Sequence, residues 1–301
     1  SKNTFIGSDA GDATTTASNN TAVGEAALSA NTTGASSTAL GYAALFANTT
    51  AGSNCALGAY ALTANTTGTN NCAVASSLVT NTTGVNNTAV GNNALYYNTT
   101  GTDNNAFGLS TLQACTTGYN NSAFGGGASY LAGAMQSLTT GYRNSGFGGG
   151  AMGGTTTGAN NVAVGDAALY TNSTGSDNAA LGKDALISST TASNNTAVGY
   201  QALFADTTGA ANIGIGTYAG NNITTGEYNI MIGYQAVGSA VNVSEIVIGT
   251  ATGKGNNTGY IYPPGGGHMY QATNATTWTQ TSDQRLKKNI VNNDVGLAKI
   301  N

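Results

Sequence analysis

Few residues of this chain are of types that do chemistry, and none stands at a spacing that builds a catalytic or metal site. There is one histidine, His268, and there are three cysteines, Cys55, Cys72 and Cys115. A structural zinc centre needs four donors in tight groups and a disulfide framework needs cysteines in matched numbers, so neither is expected. The 12 acidic side chains include no pair at the fixed separation that acid/base or glycosidic cleavage demands. No cofactor and no substrate hydrolysis are expected. Aromatic and cationic residues gather once: Tyr130, Tyr142 and Arg143, with Tyr119, surround the one irregular stretch of the sequence. They are candidate receptor-binding residues, by stacking on a glycan, set against the plainer reading of a tolerated loop.

Composition accounts for this scarcity. Lys and Arg number 8 and Asp and Glu 12 in 301 residues, for a formal net charge of −4, while glycine numbers 44. Soluble domains usually carry about 25% charged residues. Disorder goes with low hydrophobicity and high net charge, a combination this chain lacks. Its cations are not clustered along the repetitive part, so neither a phosphate-tracking groove nor a polybasic membrane anchor is expected. No apolar run approaches the roughly 18 residues of a membrane-spanning helix. Expected partners therefore include no nucleic acid, and no membrane insertion is expected. The chain opens on Ser1 without a charged segment and apolar run behind it, as expected of a fragment or a processed product.

What organises the chain is a period. A small residue, an apolar one and a glycine recur as Ala22-Val23-Gly24, Ala39-Leu40-Gly41, Ala56-Leu57-Gly58 and onward to Ala197-Val198-Gly199. Fifteen such anchors run from Gly7 to Gly249, with Ala75 in place of one glycine, at a spacing of 17 that slips twice to 16 and once jumps to 23. The unit reads N-N-T-A-V-G-x-x-A-L-x-x-N-T-T-G-x. Helical repeats run from about 30 residues upward and do not hold two glycines and a Thr pair in so short a unit. A β-coil remains, with one turn per repeat.

Around each anchor the pattern alternates with period two, as in Ile213-Gly214-Ile215-Gly216, so the consensus Thr and Val positions share a face. That face, joined by Leu28, Leu45, Leu62, Leu95, Leu169, Leu186 and Leu203, is expected to form the interior. Val23, Leu40, Leu57, Val90, Val164, Leu181 and Val198 then make one interior column. Ala22 and its equivalents line the opposite face with the anchor glycines. Asn-Thr-Thr-Gly, as in Asn31 to Gly34, supplies a turn with glycine at positive φ. Stacking at the inter-strand spacing makes a rod of roughly 70 Å, with Asn, Thr and Leu each stacked in ladders.

Further readings follow from this frame. The long spacing predicts an outward loop within Gly126 to Leu138 that leaves the flanking turns in register. Cys55 and Cys72 fall one turn apart, and directly stacked neighbours seldom meet disulfide geometry, so they are read as buried thiols in a Thr slot. The Asn-Thr-Thr strings are also N-glycosylation sequons. A single thin coil buries little, and the bare Ala and Gly face is expected to pack against another chain.

The tandem N-T-A-V-G and N-I-M-I-G strings resemble the head repeats of trimeric autotransporter adhesins. That resemblance implies a β-roll in three associated chains, although the period there is about 14. Near the other end, Thr281-Ser282-Asp283-Gln284-Arg285-Leu286-Lys287-Lys288-Asn289-Ile290 resembles the opening of the intramolecular chaperone of phage tail spikes, tail fibres and endosialidases. The resemblance implies trimerisation, templating and one self-cleavage between Ser282 and Asp283, with Ser282 as nucleophile and Lys287 as base. A serine hydroxyl needs such a base, and partial desolvation lowers a lysine toward that role.

The expected architecture is an all-β solenoid over 1–249, a connector over 250–281 and the truncated start of a chaperone over 282–301, in a parallel homotrimer. On a three-fold axis His268 would bring three imidazoles together, weighed against an ordinary exposed histidine. The expected function is that of a phage tail fibre shaft in the virion tail, outside the cell. Its expected partners are two further copies of the chain, other tail proteins and a host-surface glycan or protein. A bacterial surface adhesin is the first alternative, and an ice-binding solenoid, suggested by the Thr ladders, the second.

Overall fold

The computed structural model describes residues 2–127, 132–250, 252–253, 255–262, 268–271 and 279–281. Short strands follow one another at one per repeat, from β1 (Thr4–Ile6) to β15 (Ile246–Gly249). Each pairs in parallel with the next and in the same register, Thr21 beside Thr38, Ala22 beside Ala39 and Val23 beside Leu40. The chain is an all-β, parallel β-solenoid, and no helix occurs among the described residues. Past β15 the sheet takes one more parallel strand, β16 (Gly259–Tyr262), and then two antiparallel ones, β17 (His268–Gln271) and β18 (Thr279–Thr281).

One turn shows how the repeat builds the coil. Thr21 and Val23 point outward and Ala22 inward. Gly24, at φ 135, then turns the chain. A β-carbon there would come 2.6 Å from the Gly41 carbonyl oxygen of the next turn, so the slot favours glycine twice over. Beyond it Ala26 and Leu28 take left-handed φ values of 57° each. That break in alternation lets the consecutive residues Ala27 and Leu28 both face inward, fully buried. Asn31 points inward, Thr32 lies half-buried and Thr33 is exposed. Gly34 is not left-handed, contrary to the sequence expectation. It is needed because a β-carbon would strike the Ala51 carbonyl oxygen and come 2.6 Å from Asn31 Oδ1.

Two amide ladders run through the interior. In one, the backbone N–H of Asn87 donates to Asn71 Oδ1 (3.0 Å) while Asn87 Nδ2 donates to the Gly101 carbonyl (2.8 Å). This pattern repeats from Asn20 to Asn229. It ends at Glu245, a fully buried carboxylate that accepts from Ser239 N, Asn242 Nδ2 and Gly255 N. In the other, Asn31, Asn48, Asn65, Asn81 and Asn98 bond side chain to side chain. Beside them the Thr32 hydroxyl donates to the Thr49 carbonyl, and so on up the rod. A buried polar group left unpaired costs about 1–3 kcal/mol, so these rungs penalise any other register. The sequon asparagines Asn31, Asn48, Asn65, Asn81, Asn98 and Asn172 are fully buried, and no glycan fits on them in the folded coil.

The strand faces are the reverse of the sequence expectation. Ala22, Ala39, Ala56, Ala89, Ala106, Ala163, Ala180 and Ala197 are fully buried, whereas Leu40 is 49% exposed, Val164 41% and Leu181 40%. The expected Val and Leu column exists, rung upon rung, on the outside. Volume explains the inversion. A β-carbon built at Gly214 would lie 2.8 Å from Leu203 Cγ, and one at Gly146 would lie 3.0 Å from Met135 Cε. The strand centre packs directly on the Leu column, and only a methyl fits between. Where the strand centre is larger, the opposite wall shrinks: Phe5 faces Gly11, and Met231 faces Gly220. The Ala face is thus the chain's own core and presents nothing to another chain.

The long spacing behaves as the sequence implies. β8 (Ser122–Phe124) and β9 (Ser145–Phe147) pair in register, Ser122 beside Ser145 and Phe124 beside Phe147. Gly127 N donates to the Leu109 carbonyl on one side, and the Ala132 carbonyl accepts from Gly150 N on the other. Ala134, Met135 and Leu138 on the far side of the insert lie in the core. Deleting Ala128 to Gly133 is expected to leave the rod's length and its thermal midpoint within a few degrees of the parent, by electron microscopy and calorimetry. Collapse of the rod would show that the insert carries core contacts.

Candidate functional site: the outward sheet face

A surface continuous along the whole rod is left for another molecule on the outer face of the parallel sheet, which carries two columns. One runs Thr4, Thr21, Thr38, Cys55, Cys72, Thr88, Asn105, Ser122, Ser145, Val162 and on to Ile246. The other is apolar at every rung, from Ile6 through Val23, Leu40, Leu57, Val74, Val90, Phe107, Phe124, Phe147, Val164 and Leu181 to Ile248. At mid-length it becomes aromatic: Phe107 and Phe124 stack at 4.7 Å and 6°, Phe124 and Phe147 at 5.0 Å and 4°. At the strand spacing this strip is roughly 70 Å long. Monomeric proteins rarely expose continuous apolar surface on that scale. Tyrosines flank it near each end, Tyr42 against Tyr60 and Tyr200 against Tyr218, and Lys183 meets Asp166 at 3.6 Å between them.

Cys55 and Cys72 are paired neighbours in the first column, both free and half-exposed. They are not buried as the sequence reading had it, because the Thr slot faces outward. Partial burial, with the Cys55 thiol beside it, raises the Cys72 pKa. Cys115 is the buried one. It occupies an Asn slot of the second ladder, where desolvation pushes its thiol up to about 12.

Of the candidate receptor residues, Tyr142 and Arg143 lie at the corner before β9. Tyr142 stacks on Tyr119 at 4.9 Å and 1°, and the Arg143 guanidinium lies 5.6 Å from the Tyr142 ring centroid. Tyr119 thus covers one face of the Tyr142 ring. Tyr130, Ser282, Asp283 and Lys287 lie outside the described residues. Among the described residues no three His, Cys, Asp or Glu side chains gather as metal ligands.

The outward apolar column was read from the sequence as interior, and one signal identifies it. Across the fifteen repeats the strand centre is Ala in ten and Gly in two, while the next residue ranges over Val, Leu, Phe and Ile. The slot held to a small residue in most repeats is the inner one. Comparison with protein-family models, with characterised proteins and with solved structures finds no match for the chain.

Proposed function

We propose that the chain is the shaft of a structural and adhesive fibre, a phage tail fibre, in which three parallel copies pack along the outward sheet face. The observation that carries the reading is the unbroken apolar column on a rod whose interior is already filled. A strip that repeats at the strand spacing is matched in period by a copy of itself. The aromatic rungs at Phe107, Phe124 and Phe147 differ from the rest and favour one alignment of the copies over a slip by whole turns. The likeness of 281–290 to an intramolecular chaperone supports templated assembly from that end, with one hydrolysis of the Ser282–Asp283 peptide bond. Mechanical reach and presentation to a host surface are the work of such a shaft.

Light scattering on the chain is expected to give three copies, and Val164→Lys with Leu181→Lys to give monomers with an unchanged β-sheet spectrum. A denaturant-resistant monomer of the parent chain would overturn the reading. Equal trimer yields from gene products ending at Ser282 would remove only the templating role.

A second reading has its own observation. One threonine per turn, from Thr16 and Thr33 through Thr225, is exposed in an unbroken column, the regular hydroxyl and methyl array of an ice-binding face. Its partner column, that of Thr32, is tied to the next turn's carbonyls. The fibre reading is therefore preferred. Thermal hysteresis of the purified chain tests the second directly.

A further inference from the structure

The second amide ladder is interrupted. From Asn48 to Asn98 each Nδ2 donates to the Oδ1 one turn earlier at 2.6–3.0 Å. Cys115 and Leu138 then fill the column with apolar side chains. Beyond them come Thr155, Asn172, Ser189 and Asp206, all fully buried, and Ile223 closes the column at the far end. In this closed stretch no rung bonds directly to the next. Thr155 Oγ1, Asn172 Oδ1, Ser189 Oγ and Asp206 Oδ2 have no partner in the protein. These are four orphaned polar atoms on four successive turns, all in one column.

The side chains explain the break. Ser189 and Thr155 stop short of where an amide reaches, and Asp206 carries a second oxygen where Asn carries its Nδ2. Successive rungs lie about 4.8 Å apart, too far for a direct hydrogen bond and suited to one water about 2.8 Å from each. A buried water needs two to four polar partners, and this column supplies two at each gap. We propose that the column from Thr155 to Asp206 binds a file of internal water molecules, which carries the hydrogen bonding that direct amide contacts carry from Asn31 to Asn98.

Asp206 ends the file. Its Oδ1 accepts from Gly209 N at 2.8 Å. Burial raises its carboxyl to about 7, against the lowering effects of Gly209 and Asn212. Its column neighbours are Ser189 and Ile223 and its own turn adds Asn212, none of them titratable, so no cation holds it ionised. The neutral acid donates from Oδ2 to the adjacent water. Because the folded value lies above the ordinary 3.8, this contribution to stability is complete below that value and is lost as pH rises through about 7.

High-resolution crystals of the parent chain and of Ser189→Asn test the file, with oxygen-17 relaxation dispersion counting long-lived internal waters in solution. Expected are ordered waters between these rungs in the parent, and their loss on both sides of position 189 in the variant, whose amide reaches Asn172 Oδ1. A dry column in the parent, or unchanged waters in Ser189→Asn, would overturn the proposal. Ser189→Asn and Asp206→Asn both restore the repeat's own residue and are expected to fold. The melting temperature of the parent is expected to fall by several degrees between pH 5 and 8, and that of Asp206→Asn to stay level. A level parent would overturn the place of Asp206 in the file.

Discussion

Replacing Ala180 by leucine is expected to unfold the central turns, while replacing its exposed neighbour Leu181 by alanine leaves the coil's thermal midpoint nearly unchanged. Hydrophobicity alone orders the two variants the other way. Ala180 is fully buried, and by the spacing seen at Gly214 and Gly146 its methyl faces Leu169 and Leu186. Forcing extra methylenes into a filled core costs about 1–3 kcal/mol where the surroundings give way. Here the strands above and below are fixed by the same ladders, and the expected loss lies at or above the top of that range. Leu181 gives up half-exposed surface, worth about 1 kcal/mol or less in the separated chain. Calorimetry on dilute protein compares the two, and an Ala180→Leu midpoint equal to that of the parent would refute the packing scheme.

Gly165→Ala is expected to be comparably severe. The glycine sits at φ 134, and a β-carbon would fall 2.6 Å from both the carbonyl carbon and oxygen of Gly182. Strain at such a dihedral costs about 1–3 kcal/mol, and the clash with backbone adds to it, since neither turn is free to move along the rod. Ala75 shows what accommodation requires. It occupies the equivalent slot at φ 67 rather than near 135, and its turn is one residue shorter, Cys72 pairing with Thr88 across 16 residues. Urea titration is expected to lower the midpoint of Gly165→Ala markedly, and combining the substitution with deletion of Ala167 to recover part of the loss. An unchanged midpoint for the single variant would show that the turn reshapes freely.

The period made much of this legible. Seventeen-residue spacing fixes one turn per repeat, parallel pairing, the Leu28 to Leu203 column inside and the Asn ladders, because each follows from stacking like on like. The in-register insert follows from the resumption of the pattern at Ser145. What periodicity leaves open is which side of a three-residue strand faces in. Thr-Ala-Val alternates equally well either way, and the bulkier side chain is the natural core residue until the opposite wall is counted. Leu28 and its equivalents already fill the space. The pairs Phe5 with Gly11 and Met231 with Gly220 record the trade in the sequence itself. The left-handed Leu positions were hidden for a related reason: leucine carries no signal for positive φ, and the stack imposes it. The residues Ser282, Asp283 and Lys287 rest on a resemblance and lie outside the described residues.

The in-register ladder also governs how such a rod changes over generations. Along the first ladder each rung's side-chain oxygen accepts from the next rung's backbone N–H, Asn20 from Ser37 as Asn178 from Asn195. A tandem duplication of seventeen codons therefore inserts a turn that finds its partners already in place above and below. Each such event lengthens the coil by about 4.8 Å without a new packing problem to solve. Length becomes a quantity that recombination adjusts in small equal steps, separately from what lies at either end of the coil.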